Sequence, residues 1–164
     1  MSVPPIRVCF VCLGNICRSP TAEGVMKHLI ETEGLTNSFF IDSAGTGAYH
    51  VGEAADARSA EAALRQGITL TSVARQFIDE DFEQFDYIVA MDRKNYAHLQ
   101  RLARREADRA KISLLRSFDP HADGLDVPDP YFEDNFDVVF DICRAGCTGL
   151  IAKIIRDHGL VREA

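Results

Sequence analysis

The chain has 164 residues, 46% of them hydrophobic, and a formal net charge of −7. That length and apolar share fit one compact domain better than two domains or a disordered segment, and Lys and Arg are scattered instead of gathered in one basic block, which argues against a nucleic-acid partner. No apolar run approaches the roughly 20 residues of a membrane-spanning helix, and the N-terminal MSVPPIRVCFVC lacks a signal-peptide pattern. A cytoplasmic protein with no membrane contact is therefore expected.

Ile6 to Val11 is a short β-branched, apolar run that reads as a strand, followed by the turn residues Gly14 and Asn15. Ser19 and Pro20 then suit a helix N-cap and first helical position. Ala22, Val25, Met26, Leu29 and Ile30 recur at helical spacing, and Gly34 stands where that helix would end. Phe39 to Asp42 reads as a second strand, Ala57 to Gln66 as a helix closed by Gly67, and Tyr87 to Met91 as a third strand with Asp92 capping the next helix. Ile112 to Phe118 reads as a fourth strand, and Phe136 to Asp157 as a closing helix.

This alternation implies an α/β domain spanning residues 1–164, a three-layer arrangement with a four-stranded parallel twisted sheet flanked by helices. Ligands in such sheets bind beyond the carboxyl ends of the strands, and Cys12 directly follows the first one. The stretch from Asp119 to Asp134 breaks the rhythm: sixteen residues with three Pro, one Gly and no periodicity, a loop long enough to expect a functional role.

Between the first strand and the first helix runs Cys12-Leu13-Gly14-Asn15-Ile16-Cys17-Arg18-Ser19, with five residues separating Cys12 from Arg18. A short loop wound around an anion points successive backbone N–H groups inward, and the helix that follows adds its positive end. Arg18 would supply a planar fork of donors to two phosphate oxygens, and the same field favours a nucleophilic thiolate at Cys12. Gly14 and Asn15 suit positions of positive φ. Asn15, Ser19 and Ser43 could hold the loop by mutual hydrogen bonds, with donation to the thiolate as a second role open to Ser19.

A C-x5-R spacing alone arises often by chance; its setting between strand and helix gives it weight. Cys9 and Cys12 also form a C-x-x-C, but Cys9 lies within the strand and should face the core, which speaks against a redox dithiol. Five cysteines in a domain this large point to reduced thiols, with at most one catalytic or redox-sensing pair. Cys143 and Cys147, one helical turn apart, read as packing residues. Hydrolysis needs a proton donor for the leaving group and then a base for water. The long loop offers Asp119, Asp123, Asp126, Asp129 and Asp134, and Val-Pro-Asp-Pro stiffens the backbone on both sides of Asp129.

With these motifs in place, the chain resembles the low-molecular-weight protein tyrosine phosphatases over nearly its whole length. The matching residues are Val11 to Glu23, Asp42-Ser43-Ala44-Gly45-Thr46, Ala74-Arg75-Gln76, Met91-Asp92 and Val127-Pro128-Asp129-Pro130. The resemblance implies Cys12 as nucleophile, Arg18 as phosphate ligand and Asp129 as general acid and then base. It further implies a phosphate cradle from Leu13, Gly14, Asn15, Ile16, Cys17 and Ser19, loop support from Ser43, and aromatic walls from Tyr49 and Tyr131. Phosphotyrosine proteins would be the substrates, without metal or organic cofactor, and a monomer is expected with weak dimerisation left open. The family uses its second loop cysteine in a reversible disulfide, so Cys17 has two readings, redox partner of Cys12 or small core hydrophobe.

Three departures stand out: Ser72 where histidine is frequent, Tyr49 where tryptophan is frequent, and Tyr131-Phe132 in place of a tyrosine pair. Rival activities on the same scaffold are arsenate reduction, protein-arginine dephosphorylation and non-catalytic phosphotyrosine binding. The first lacks a cysteine between Cys17 and Cys143, the second is marked by threonine where Ile16 stands, and the third usually sheds one of Cys12, Arg18 and Asp129, all present here.

Overall fold

The computed structural model describes residues 3–162. Four parallel strands form one sheet: β1 (Ile6–Cys12), β2 (Phe39–Gly45), β3 (Tyr87–Ala90) and β4 (Ile112–Leu114), in the spatial order β2-β1-β3-β4. Strand order reverses at β1, whose neighbours lead to opposite edges, so the crevice of the switch point opens at its carboxyl end. Cys12 is the last residue of that strand.

The period of two along β1 sends alternate side chains to two different cores. Val8, Phe10 and Cys12 face one layer, built by α1 (Arg18–Thr32) and by α7 (Phe136–His158) with its buried Val139, Phe140, Cys143, Cys147, Leu150 and Ile154. Cys9 and Val11 face the other, built by Phe82 of α3 (Asp81–Gln84) and Leu99 of α4 (Arg93–Leu102). Cys9 is thus a core residue, as are Cys143 and Cys147, and burial pushes all three thiols upward in pKa. Beyond β2 lies α2 (Ala57–Arg65), capped by the Asp56 side chain. Two further single-turn helices are α5 (Glu106–Arg109) and α6 (Pro130–Glu133).

Two sequence expectations are corrected. The apolar run Ile112 to Phe118 is not one strand: after Leu114 the chain turns into a 3₁₀ segment, Leu115–Phe118, lying under α7. Gly146 and Gly149 of α7 make that approach possible, because a Cβ at Gly149 would stand 1.8 Å from the Phe118 carbonyl oxygen and one at Gly146 would stand 2.6 Å from Leu115 Cγ. Ser19 is not the N-cap of α1 either. The helix starts at Arg18 with Cys17 as cap and without a side-chain cap bond, since the Ser19 hydroxyl is committed to the loop described below. Asp92 does cap α4, accepting from the Asn95 N–H, and Gly34 follows α1 at a φ of 68°.

Candidate active site

The loop after Cys12 is bound to the end of β2. Thr46 N–H donates to the Cys12 carbonyl at 2.8 Å and Gly47 N–H to the Leu13 carbonyl at 2.9 Å. Gly45 permits this approach, because a Cβ there would lie 2.8 Å from the Leu13 oxygen and 3.3 Å from the Asn15 Cβ. The loop then winds back on itself through Asn15, at a φ of 57°, a region asparagine tolerates. Gly14 does not share that positive φ. Its small size matters instead, since the His50 ring packs where a side chain would be, 3.0 Å from an ideal Cβ.

Asn15 is the hub. Its backbone N–H donates to Cys12 Sγ at 3.3 Å, while its side-chain amide donates to Ser19 Oγ at 2.8 Å and Ser43 Oγ at 3.0 Å. Its Oδ1 accepts from the Arg75 N–H at 3.0 Å, which fixes the amide orientation. Ser19 Oγ accepts from Asn15 and lies 3.0 Å from Cys12 Sγ, with the Ala44 carbonyl oxygen at 3.5 Å as the second acceptor in reach of its hydroxyl. The geometry thus ties Ser19 into the loop through Asn15 and places its hydroxyl beside the sulfur. Ser43 donates onward to Glu23 Oε1 at 2.6 Å, and Glu23 Oε2 accepts from Lys27 Nζ at 2.6 Å. Ser72 makes no hydrogen bond to this network among the described residues.

Arg18 is 4% exposed and held from two sides. Its Nη1 donates to Asp92 Oδ2 at 2.6 Å and to the Val127 carbonyl at 3.0 Å, and its Nη2 lies 3.8 Å from Asp129 Oδ2. Burial works against its charge, but Cys12, Asp92 and Asp129 outweigh burial and raise its pKa above the usual arginine value.

The long loop is anchored at several points. Val127 N–H donates to the Met91 carbonyl, Arg93 grips both oxygens of Asp126, and Arg116 binds Asp123 and the Asp126 carbonyl. Asp123 and Asp126 are thereby occupied with arginines, and Asp119 with the His121 N–H. Asp129 caps α6, its Oδ1 accepting from the Tyr131 N–H at 3.1 Å, with the second oxygen turned toward Arg18. It is the loop carboxylate that lines the cleft above Cys12.

That cleft, about 310 Å³, is walled by Cys12, Leu13, Gly14, Ile16, Cys17, Arg18, Tyr49, His50, Asp129, Tyr131 and Phe132. Tyr49 stands at the rim, 75% exposed, and Tyr131 is more enclosed. Arg58 stacks on the Tyr131 and Phe136 rings and donates to the Tyr131 carbonyl, bracing α6. Cys17 sits on the buried side with Ile16, Ala62, Ala74 and Phe136; burial pushes its thiol up to about 12, against a hydrogen bond with Ser59. Every site residue named from the sequence is thus gathered around one crevice or its supporting network. Reading the sequence did not reveal Asp92 as a partner of Arg18, Glu23 as the partner of Ser43, or His50 and Phe132 as walls. Asp92 and Glu23 lay inside the recognised motifs, but their partners are distant in the chain.

A sequence model of the family described as low molecular weight phosphotyrosine protein phosphatase matches residues 7–160. The chain belongs to this family. A low molecular weight protein-tyrosine-phosphatase of Streptomyces coelicolor is 47% identical over 152 residues, covering 90% of this chain and 93% of that protein. Among solved structures, YfkJ of Bacillus subtilis superposes with a TM-score of 0.91 at 38% identity, over 96% of this chain and 99% of that one. A protein tyrosine phosphatase of Entamoeba histolytica gives 0.89 at 41% identity, over 94% and 99%. In this member of the low molecular weight phosphatases, Ser43 of the loop-supporting network binds Glu23 directly.

Proposed function

We propose that this chain is a protein-tyrosine-phosphatase that hydrolyses phosphotyrosine in proteins through a phosphocysteine on Cys12. The observation that carries the mechanism is the convergence of three groups on one cleft: a sulfur facing the Ser19 hydroxyl and the Asn15 N–H, the Arg18 guanidinium, and the Asp129 carboxyl. The two hydrogen bonds favour negative charge on sulfur. The thiolate attacks phosphorus in line, and the phosphorus–oxygen bond to the tyrosyl group breaks. Arg18 and the N–H groups of Leu13 to Ser19 hold the equatorial oxygens, where charge is distributed in the transition state.

Asp129 protonates the departing phenolate and, now ionised, takes a proton from the water that attacks the phosphocysteine, releasing phosphate and the Cys12 thiolate. Tyr49 and Tyr131 guide the substrate ring, and a cleft with such walls favours phosphotyrosine over the shorter phosphoserine. Ser43 supports the loop through Asn15. We further infer a reversible Cys12–Cys17 disulfide under peroxide, a cytoplasmic setting and a monomeric enzyme without metal, organic cofactor, or nucleic-acid or membrane partner. Among the described residues no helix is long and apolar enough to cross a membrane.

The test is phosphate release from matched phosphotyrosine, phosphoserine and phosphoarginine peptides without added metal, beside Cys12→Ser. Phosphotyrosine-selective release that disappears in the variant is expected. Release favouring phosphoarginine, or an active Cys12→Ser, would overturn the reading.

A further inference from the structure

Glu23 is a carboxylate where carboxylates are rarely found. It lies on α1 with its side chain 6% exposed, facing the phosphate loop from behind, and its direct cationic contact is Lys27 one turn further along, whose side chain is 47% exposed. An ion pair at this spacing on a helix surface contributes little. Here one partner is buried, so removing the cation would leave an uncompensated internal charge.

The hydrogen bonds leading inward have a fixed sense. An ionised carboxylate only accepts, so the Ser43 hydroxyl must donate to Glu23 and its oxygen is left to accept from the Asn15 amide. Asn15 is prevented from turning over by the Arg75 N–H at Oδ1, so its second amide hydrogen goes to Ser19. Ser19, having accepted, has one hydrogen to give, and Cys12 sulfur at 3.0 Å is nearer to its oxygen than the Ala44 carbonyl oxygen at 3.5 Å. The steps as far as Ser19 each follow from the one before, and the ionised sulfur, which can only accept, draws the last hydrogen. The charge that starts the sequence is the Glu23 carboxylate, and the charge that keeps it in place is the Lys27 ammonium.

We propose that Lys27 is a positioning residue for the Cys12 nucleophile, acting through Glu23, Ser43, Asn15 and Ser19. The proposal rests on the phosphatase reading for its kinetic consequence, but not for its effect on the thiol itself. The other charged or titratable groups gathered at this place are Arg75, paired with Asp42 and Asp81, and the buried Cys9, within electrostatic reach of these three and of Glu23. Arg75 is committed to its own two carboxylates, which leaves Lys27 as the counter-charge of Glu23. Because the Lys27 side chain is half exposed, any reaction that neutralises its ε-amine would act on the nucleophile without entering the cleft.

The experiment compares wild type, Lys27→Met, Lys27→Arg, Glu23→Gln and the double variant Lys27→Met with Glu23→Gln, each below its melting temperature. Two readouts are taken: kcat and KM on a phosphotyrosine peptide, and the rate of Cys12 alkylation by iodoacetamide. Lys27→Met is expected to lower kcat and the alkylation rate together by about fivefold with KM little changed, and Lys27→Arg to restore both. In the Glu23→Gln background the Lys27 substitution should have no further effect. A lower melting temperature with unchanged kcat and alkylation rate would reduce Lys27 to a structural role and overturn the proposal. Should wild type release no phosphate, the phosphatase reading fails, and the alkylation rates still decide the role of Lys27.

Discussion

Arg18 Nη1 donates to Asp92 Oδ2 at 2.6 Å, and Asp92 Oδ1 at the same time accepts from the Asn95 N–H at 2.7 Å. One carboxylate thus joins the phosphate-binding arginine to the start of α4, and the two jobs can be separated. Asparagine caps helices about as well as aspartate, so Asp92→Asn should leave the melting temperature close to wild type while kcat/KM falls about tenfold to a hundredfold. Asp92→Ala should add a stability loss of about 1 kcal/mol. Unchanged kcat/KM in Asp92→Asn would mean that Asp92 only caps.

Asp129 also combines a cap with a cleft-facing oxygen. Asp129→Asn keeps α6 capped and removes the acid. With aryl phosphates of graded leaving-group acidity, kcat/KM should fall by about a hundredfold or more for poor leaving groups and far less for good ones. A uniform loss across the series would remove Asp129 from proton transfer.

The loop carrying Asp129 is clamped by Arg93, whose backbone N–H and guanidinium both reach Asp126. The Arg93 side-chain bond is the main cause that holds the Asp126 carboxyl below the usual aspartate range. A carboxylate with a depressed folded-state pKa stabilises above its unfolded pKa, and that contribution is lost as pH falls through the folded value. The clamp should therefore persist down to about pH 4 and release below it. The amide proton of Arg93 reports this directly: its NMR titration midpoint is expected under about 3.9, the unperturbed aspartate value. A midpoint at or above that value would show the clamp to be absent in solution.

Burial pushes Cys17 up to about 12 and Cys143 to about 12, and raises Cys9 and Cys147 as well. All four thiols should stay protonated at neutral pH, so limiting iodoacetamide is expected to label the folded protein at Cys12 alone, read by peptide mapping. Peroxide should likewise act first on the Cys12 thiolate, giving a sulfenic acid that Cys17 displaces with loss of water. Intact mass then falls by two hydrogens, reversibly with dithiothreitol. In Cys17→Ser the sulfenic acid has no neighbouring thiol to condense with, so further peroxide should carry it to the sulfinic acid, which dithiothreitol does not reverse; identical recovery in both proteins would exclude the disulfide.

The sequence carried the strand, loop and helix around Cys12 because the signals there are local: an apolar run, an asparagine able to take positive φ, and a helical period ending at Gly34. It also singled out Asp129, whose flanking prolines are local too. Ser19 misled as a cap, since Ser-Pro marks helix starts in general and nothing nearby discloses that its hydroxyl is claimed by Cys12 and Asn15. Leu115 to Phe118 misled for another reason: a short buried apolar run looks alike as a strand or as a 3₁₀ segment. Asp92 and Glu23 were visible as motif residues, but their partners lie 74 and 20 positions away. Such pairings come from the tertiary fold.

The contact of Gly149 with the Phe118 carbonyl bears on how a mutational survey of this enzyme would read. Any side chain there displaces the 3₁₀ segment or the closing helix, so a screen for lost activity would score Gly149 beside Cys12 and Arg18 although it never meets a substrate. Melting curves would sort the two kinds of loss: Cys12→Ser should unfold like the parent, whereas Gly149→Ala should unfold well before it.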